Sequence, residues 1–190
     1  RRARLLEALG AYEEALKYHR PDTAPLDYAM TQNNLGIVLR NLERFDEAEK
    51  AYHLAIATVP DDVRAYNSLT IMLRLNDRPL DAIPILEQLT KINPEDYNPY
   101  LGIASIKKLI GEPIPSGFIE KVHQLIPQDA SYNLACLESI CDNFDSAFEH
   151  LKQASRKEGF DPVWAWEDPD FAWIRDDPRF VEIVGPKPGE

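Results

Sequence analysis

Sulfur, patterned histidine and long apolar runs are what this sequence of 190 residues has least of. Its two cysteines, Cys136 and Cys141, fall in a segment with helical patterning. At about 100° per residue their side chains diverge by roughly 140°, so no disulfide is expected and both read as structural thiols. The four histidines, His19, His53, His123 and His150, show no HxxxH spacing and no CxxC pair accompanies them, which argues against a metal site. The sequence also lacks a phosphate loop, a GxGxxG after a strand and a GxSxG elbow. No catalytic residue, metal or cofactor is predicted, and the chain reads as a non-enzyme.

Basic residues are scarce as well. Against 32 Asp and Glu there are 21 Lys and Arg, a net charge of -11, and binding along a nucleic-acid backbone would need clustered cations to release counterions. Mean hydropathy is -0.38 and no apolar run approaches the roughly 20 residues that cross a bilayer. The opening Arg1-Arg2-Ala3-Arg4 lacks the apolar core of a secretory signal, which predicts a cytoplasmic location with neither membrane nor nucleic acid as partner.

What the sequence does contain is an internal repeat. Shifting it by 34 residues superimposes Asn33 on Asn67, Leu35 on Leu69, Arg40 on Arg74, Ala48 on Ala82, Tyr52 on Leu86 and Pro60 on Pro94. The gaps linking Leu35, Ala48, Tyr52 and Ala55 recur in Leu134, Ala147, Leu151 and Ala154, and partly in Ala8, Tyr12 and Ala15. Each unit reads as two helices. In the first full unit one runs from about Ala29 to Leu42, and the second starts near Asp46 and stops before Pro60. Gly36, Ala48 and Ala55 let the helices approach closely, and Tyr52 fills the space between them.

Asn34-Leu35-Gly36, Ala48, Tyr52, Ala55 and Pro60 resemble the tetratricopeptide repeat, a helix-turn-helix unit of 34 residues. The resemblance implies an all-α fold, an αα superhelix of antiparallel helix pairs. The expected organisation is the second helix of a truncated unit plus a connection at 1–28, repeats at 29–62 and 63–96, a degenerate repeat at 97–127, a further repeat at 128–160 and an aromatic, acidic cap at 161–190. The stretch Tyr28 to Gly36 resembles units of large bacterial multidomain proteins, which points to a fragment. Pro84 predicts a kink or a delayed start in its helix. Gly111, Pro113 and Pro115 interrupt the degenerate unit, leaving a short helix with Phe118, Ile119, Val122, Leu125 and Ile126 on its apolar face and Ser116 as its expected N-cap. All three tryptophans, Trp164, Trp166 and Trp173, fall in the last segment with Phe171 and Phe180, and Asp168-Pro169-Asp170-Phe171 resembles the tail that follows the last repeat in bacterial members. Capping of the terminal repeat is the role this predicts.

In this family the first helices line an inner groove. The columns in register are Met30, Arg64 and Asn98; Asn33, Asn67 and Leu101; Ile37, Ile71 and Ser105; and Arg40, Arg74 and Lys108. No acid enters them. Asn33, Asn67 and Asn98 can hold an extended peptide by its amides, Arg40, Arg64, Arg74 and Lys108 can meet carboxylates or phosphates, and Ile37 and Ile71 supply an apolar floor. Some cochaperones of the family grip a chaperone's terminal carboxylate with Lys and Asn from one first helix, Asn from the next and Lys and Arg from the third; the equivalent places here are Asn33, Ile37, Ser68, Asn98 and Gly102, and the cations are absent. The resulting expectation is a scaffold that binds an acidic peptide or partner segment in the groove. The alternative is a structural module that self-associates or packs on a fused effector domain.

Overall fold

The computed structural model describes residues 2–189, which divide into two compact units, one ending at Pro94 and the other beginning at Glu95. Every regular element among the described residues is helical. The first unit holds α1 (Arg2–Ala15), α2 (Pro25–Asn41), α3 (Phe45–Thr58), α4 (Val63–Leu75) and α5 (Pro79–Ile92). The second holds α6 (Tyr97–Leu109), α7 (Ser116–Leu125), α8 (Ser131–Ile140), α9 (Phe144–Ala154), α10 (Pro162–Glu167), a 3-10 turn at Pro169–Phe171 and α11 (Pro178–Val184). None is long and apolar enough to cross a membrane.

Neighbouring helices pack in pairs, α2 on α3 and α4 on α5 in the first unit, α6 on α7 and α8 on α9 in the second, and the first helices α2 and α4 also touch directly. The alanines of the repeat are what make this possible. Ala48, Ala82 and Ala147 are completely buried, and the bulk between the helices comes from Tyr52, Leu86 and Leu151. Tyr52 lies against Gly36, its ring wholly out of solvent and its hydroxyl without a hydrogen-bond partner among the described residues.

Four turns share one backbone solution. A left-handed residue follows α2 (Glu43, φ 62°), α4 (Asp77, φ 54°), α6 (Gly111, φ 72°) and α8 (Asp142, φ 63°). In each, the next amide reaches back to a carbonyl of the helix's last turn: Arg44 to Leu39, Arg78 to Leu73, Glu112 to Lys107 and Asn143 to Glu138, all at 2.9 Å. This is the glycine-type helix stop that satisfies otherwise orphaned carbonyls, and it persists through the interrupted stretch at Gly111. Glutamate suits that position poorly, because a Cβ in the left-handed region costs roughly 1–2 kcal/mol while glycine's extra chain entropy costs only about 0.5–1. Glu43→Gly should therefore raise stability by about 0.5 kcal/mol or more, read as a higher urea midpoint with an unchanged slope. Asp77→Gly should gain less, since aspartate tolerates this region better.

Local expectations are corrected in three places. Helix α2 starts at Pro25, not Ala29, since proline's fixed φ and missing N–H suit the first helical position. The connection is correspondingly shorter, and His19 Nδ1 ties it to Thr31 Oγ at 2.9 Å. Helix α5 starts at Pro79 and runs through Pro84, so its start is not delayed; the carbonyl that Pro84 cannot bond belongs to a turn exposed at both Leu80 and Pro84. Ser116 is the first residue of α7 rather than its cap. Pro115 holds the cap position, its carbonyl accepting from the amides of Phe118 and Ile119.

Candidate peptide-binding face

In the first unit, packing against neighbouring helices buries α2 and α4 on all but one stripe each. The uncovered stripe of α2 carries Met30, Asn34, Ile37, Arg40 and Asn41, and that of α4 carries Arg64, Asn67, Ile71, Arg74 and Leu75. Met30 and Ile71 are about two-fifths exposed, so the stripes mix apolar with basic and carboxamide groups. Helix α4 contains no acid, and α2 has only Asp27 in its first turn.

The expected groove residues differ in their settings. Asn67 is exposed, whereas Asn33, one repeat earlier, is 8% exposed and its Oδ1 has no hydrogen-bond partner among the described residues. Arg64 turns back on the N-cap of its own helix, with Nε 2.8 Å and Nη2 2.6 Å from the two oxygens of Asp62. The pairing holds the Asp62 carboxyl below its ordinary range and raises Arg64, so this cation is partly spent within its own turn. Arg40 and Arg74 are half-buried at the C-terminal ends of α2 and α4, with Arg40 Nη2 3.3 Å from Asn41 Oδ1. Asn98 and Lys108 belong to the second unit. Asn98 is exposed and bonds to the Asp96 cap, while Lys108 pairs with Asp142 and stands 5.7 Å from the centre of the Trp173 ring.

The first helices of the second unit have no comparable stripe. Leu101 and Ser105 of α6 and Cys136 and Ser139 of α8 are all buried, and the chain's own C-terminal segment reaches Ser105 and Cys136. The Ser105 hydroxyl donates to Asp170, the Tyr132 hydroxyl to Asp168 Oδ2 at 2.9 Å, and the Cys136 thiol to the same oxygen at 3.9 Å. Phe171 packs edge-on against Tyr132, ring centres 5.3 Å apart, and Arg175 fastens the segment by donating to the Asp168 carbonyl at 2.6 Å. Burial first and the Asp168 charge second push the Tyr132 hydroxyl far above its usual titration range, which keeps it a donor.

Three of these groups, Cys136, Asp168 and Asp170, bring candidate ligand atoms within 4.8 Å of one another, all buried. Sequence spacing gives no hint of this, because the thiol and the acids come from distant parts of the chain. Asp168 already takes donors from Tyr132, Cys136 and the Asp170 amide, and Asp170 takes one from Ser105, so hydrogen bonds suffice to hold the arrangement. The other cysteine, Cys141, is half-buried, and burial pushes its thiol up to about 11, so it is protonated at neutral pH.

The sequence profile of the tetratricopeptide repeat matches residues 29–58, which span most of α2 and all of α3. Residues 29–58 thus form a tetratricopeptide repeat. The chain is also 39% identical over 61 residues to Protein O-mannosyl-transferase Tmtc3 of Drosophila melanogaster. That alignment covers 32% of this chain and 7% of the relative, so the likeness takes in only a small part of the Drosophila protein. Tetratricopeptide repeats are protein-interaction elements, and their scaffolds are typically non-catalytic.

Proposed function

We propose that the chain binds an extended acidic segment of a protein partner across the exposed stripes of α2 and α4. The observation that carries this reading is the composition of those stripes: Ile37, Ile71 and Met30 offer apolar contact, Asn67 offers a donor and an acceptor, and Arg40 and Arg74 supply positive charge on a protein whose net charge is -11. A local basic strip on an acidic molecule favours acidic segments and repels basic ones. Arg64 contributes less than its sequence position suggests, because Asp62 already neutralises it.

An unbiased library of acidic peptides tests the reading. Binders should lose at least tenfold in affinity when Arg40→Glu and Arg74→Glu are combined, with helix content by circular dichroism unchanged. Their affinity should also fall as salt is raised, since exposed charges are screened within about 8–10 Å at physiological ionic strength. Binding that survives the double substitution removes these stripes from the mechanism.

A further inference from the structure

The C-terminal segment of this chain already behaves as a ligand of tetratricopeptide first helices. Ser105 and Lys108 stand in α6 where Ile37 and Arg40 stand in α2, and Tyr132 and Cys136 stand in α8 where Asn67 and Ile71 stand in α4. These are the four inner-register positions that meet Asp168, Asp170 and Trp173. The segment Asp168-Pro169-Asp170-Phe171 therefore lies on the face that in the first unit is open. It reads the face with two carboxylates and one ring: the acids take side-chain donors, and Phe171 packs against Tyr132.

We infer that the open stripes of the first unit take a partner segment of this same class, two acids spaced by one residue and followed by an aromatic. The inference rests on reading those stripes as the binding face. The chemistry is better matched there than where it is already seen. In the second unit the carboxylates of Asp168 and Asp170 meet the neutral groups Tyr132, Ser105 and Cys136, whereas in the first unit Arg40 and Arg74 offer guanidinium groups that can bind a carboxylate through two hydrogen bonds. Ile37 and Ile71 give the ring an apolar floor. A second aromatic three residues beyond the last acid, as Trp173 lies beyond Asp170, would come over Arg40 or Arg74 as Trp173 comes over Lys108. The proline between the acids fixes one backbone angle in advance and lowers the ordering cost of binding.

The test uses the full chain and a fluorescein-labelled peptide carrying residues 167–175, Glu-Asp-Pro-Asp-Phe-Ala-Trp-Ile-Arg, followed by fluorescence anisotropy. Saturable binding is expected, at least tenfold tighter than for a scrambled peptide. It should weaken by at least tenfold on Arg40→Glu with Arg74→Glu, and to a similar degree when both aspartates of the peptide become asparagine, a change that leaves the protein untouched. Lys108→Ala should leave it unaltered. Binding that follows Lys108→Ala and ignores Arg40 and Arg74 would mean that the peptide displaces the chain's own tail in the second unit, which overturns the inference. Equal binding of the scrambled peptide overturns it too. If the acidic library instead yields binders that depend on Arg40 and Arg74 but carry no aromatic, the specificity is wrong and the binding face stands. If no library member depends on those arginines, both fall.

Discussion

Phe171→Ala is expected to cost the second unit roughly 3–5 kcal/mol, the range for removing a fully buried phenylalanine from a core that cannot collapse around the gap. The ring is completely buried and sits between two aromatic neighbours, edge-on to Tyr132 and 5.8 Å from the likewise buried Phe180, which in turn meets Trp166 at 5.0 Å. Removing it also loosens the segment that delivers Asp168 and Asp170 to α6 and α8. Trp164, Trp166 and Trp173 all lie in this unit, so intrinsic tryptophan fluorescence during urea unfolding reads it directly. Trp164→Ala is the matched control: that side chain is 44% exposed, and its loss should fall well short of the Phe171 effect. A cost below about 1 kcal/mol for Phe171→Ala would mean that the tail is not held as described.

The second large effect is steric. A methyl group placed on Gly36 would stand 2.5 Å from Tyr52 Cε1, 2.8 Å from Cδ1 and 2.9 Å from Cζ, and the ring, fully enclosed, has no free space to swing into. Gly36→Ala should therefore destabilise the first unit by roughly 1–3 kcal/mol, even though alanine favours a helix over glycine by about 1 kcal/mol. The other repeats supply the remedy. Where a Cβ is present at the equivalent place, as at Thr70 and Ala135, the facing residue is leucine, Leu86 or Leu151, and all four side chains are buried. Gly36→Ala combined with Tyr52→Leu should thus be more stable than the sum of the two single changes by about 1–2 kcal/mol, measured as a coupling energy in a double-mutant cycle. The exchange also removes the unpartnered Tyr52 hydroxyl. Additive losses would show that the two positions do not compete for the same volume.

The helix pairing was legible in the sequence because its constraints are local and recur. A small residue at Ala48, Ala82 and Ala147 and a large one four positions later repeat at a fixed spacing, and the structure buries each as that spacing predicts. Local exceptions were harder to place. Pro25 and Pro115 have opposite roles, one opening a helix from inside and the other capping one from outside, and only the flanking backbone decides between them. Exposure within a column was not legible at all: Asn33 and Asn67 share a register yet one is buried and the other is not, because neighbours distant in sequence determine it. The same limit hid the seat of the C-terminal segment on α6 and α8. Its aromatic content marks it as a cover for something, but the contact of Asp168 and Asp170 with Tyr132, Cys136 and Ser105 is long-range, joins neutral donors to acids and leaves no periodic trace.

That seating makes the tail a poor candidate for transplantation. A designer who fuses residues 161–184 to another helical array, hoping to seal its last hydrophobic surface, would deliver two carboxylates to whatever lines the recipient's first helices. Unless hydroxyl or thiol donors at the places of Ser105, Tyr132 and Cys136 travel with it, those charges would be stranded away from water, and the graft would weaken its new host.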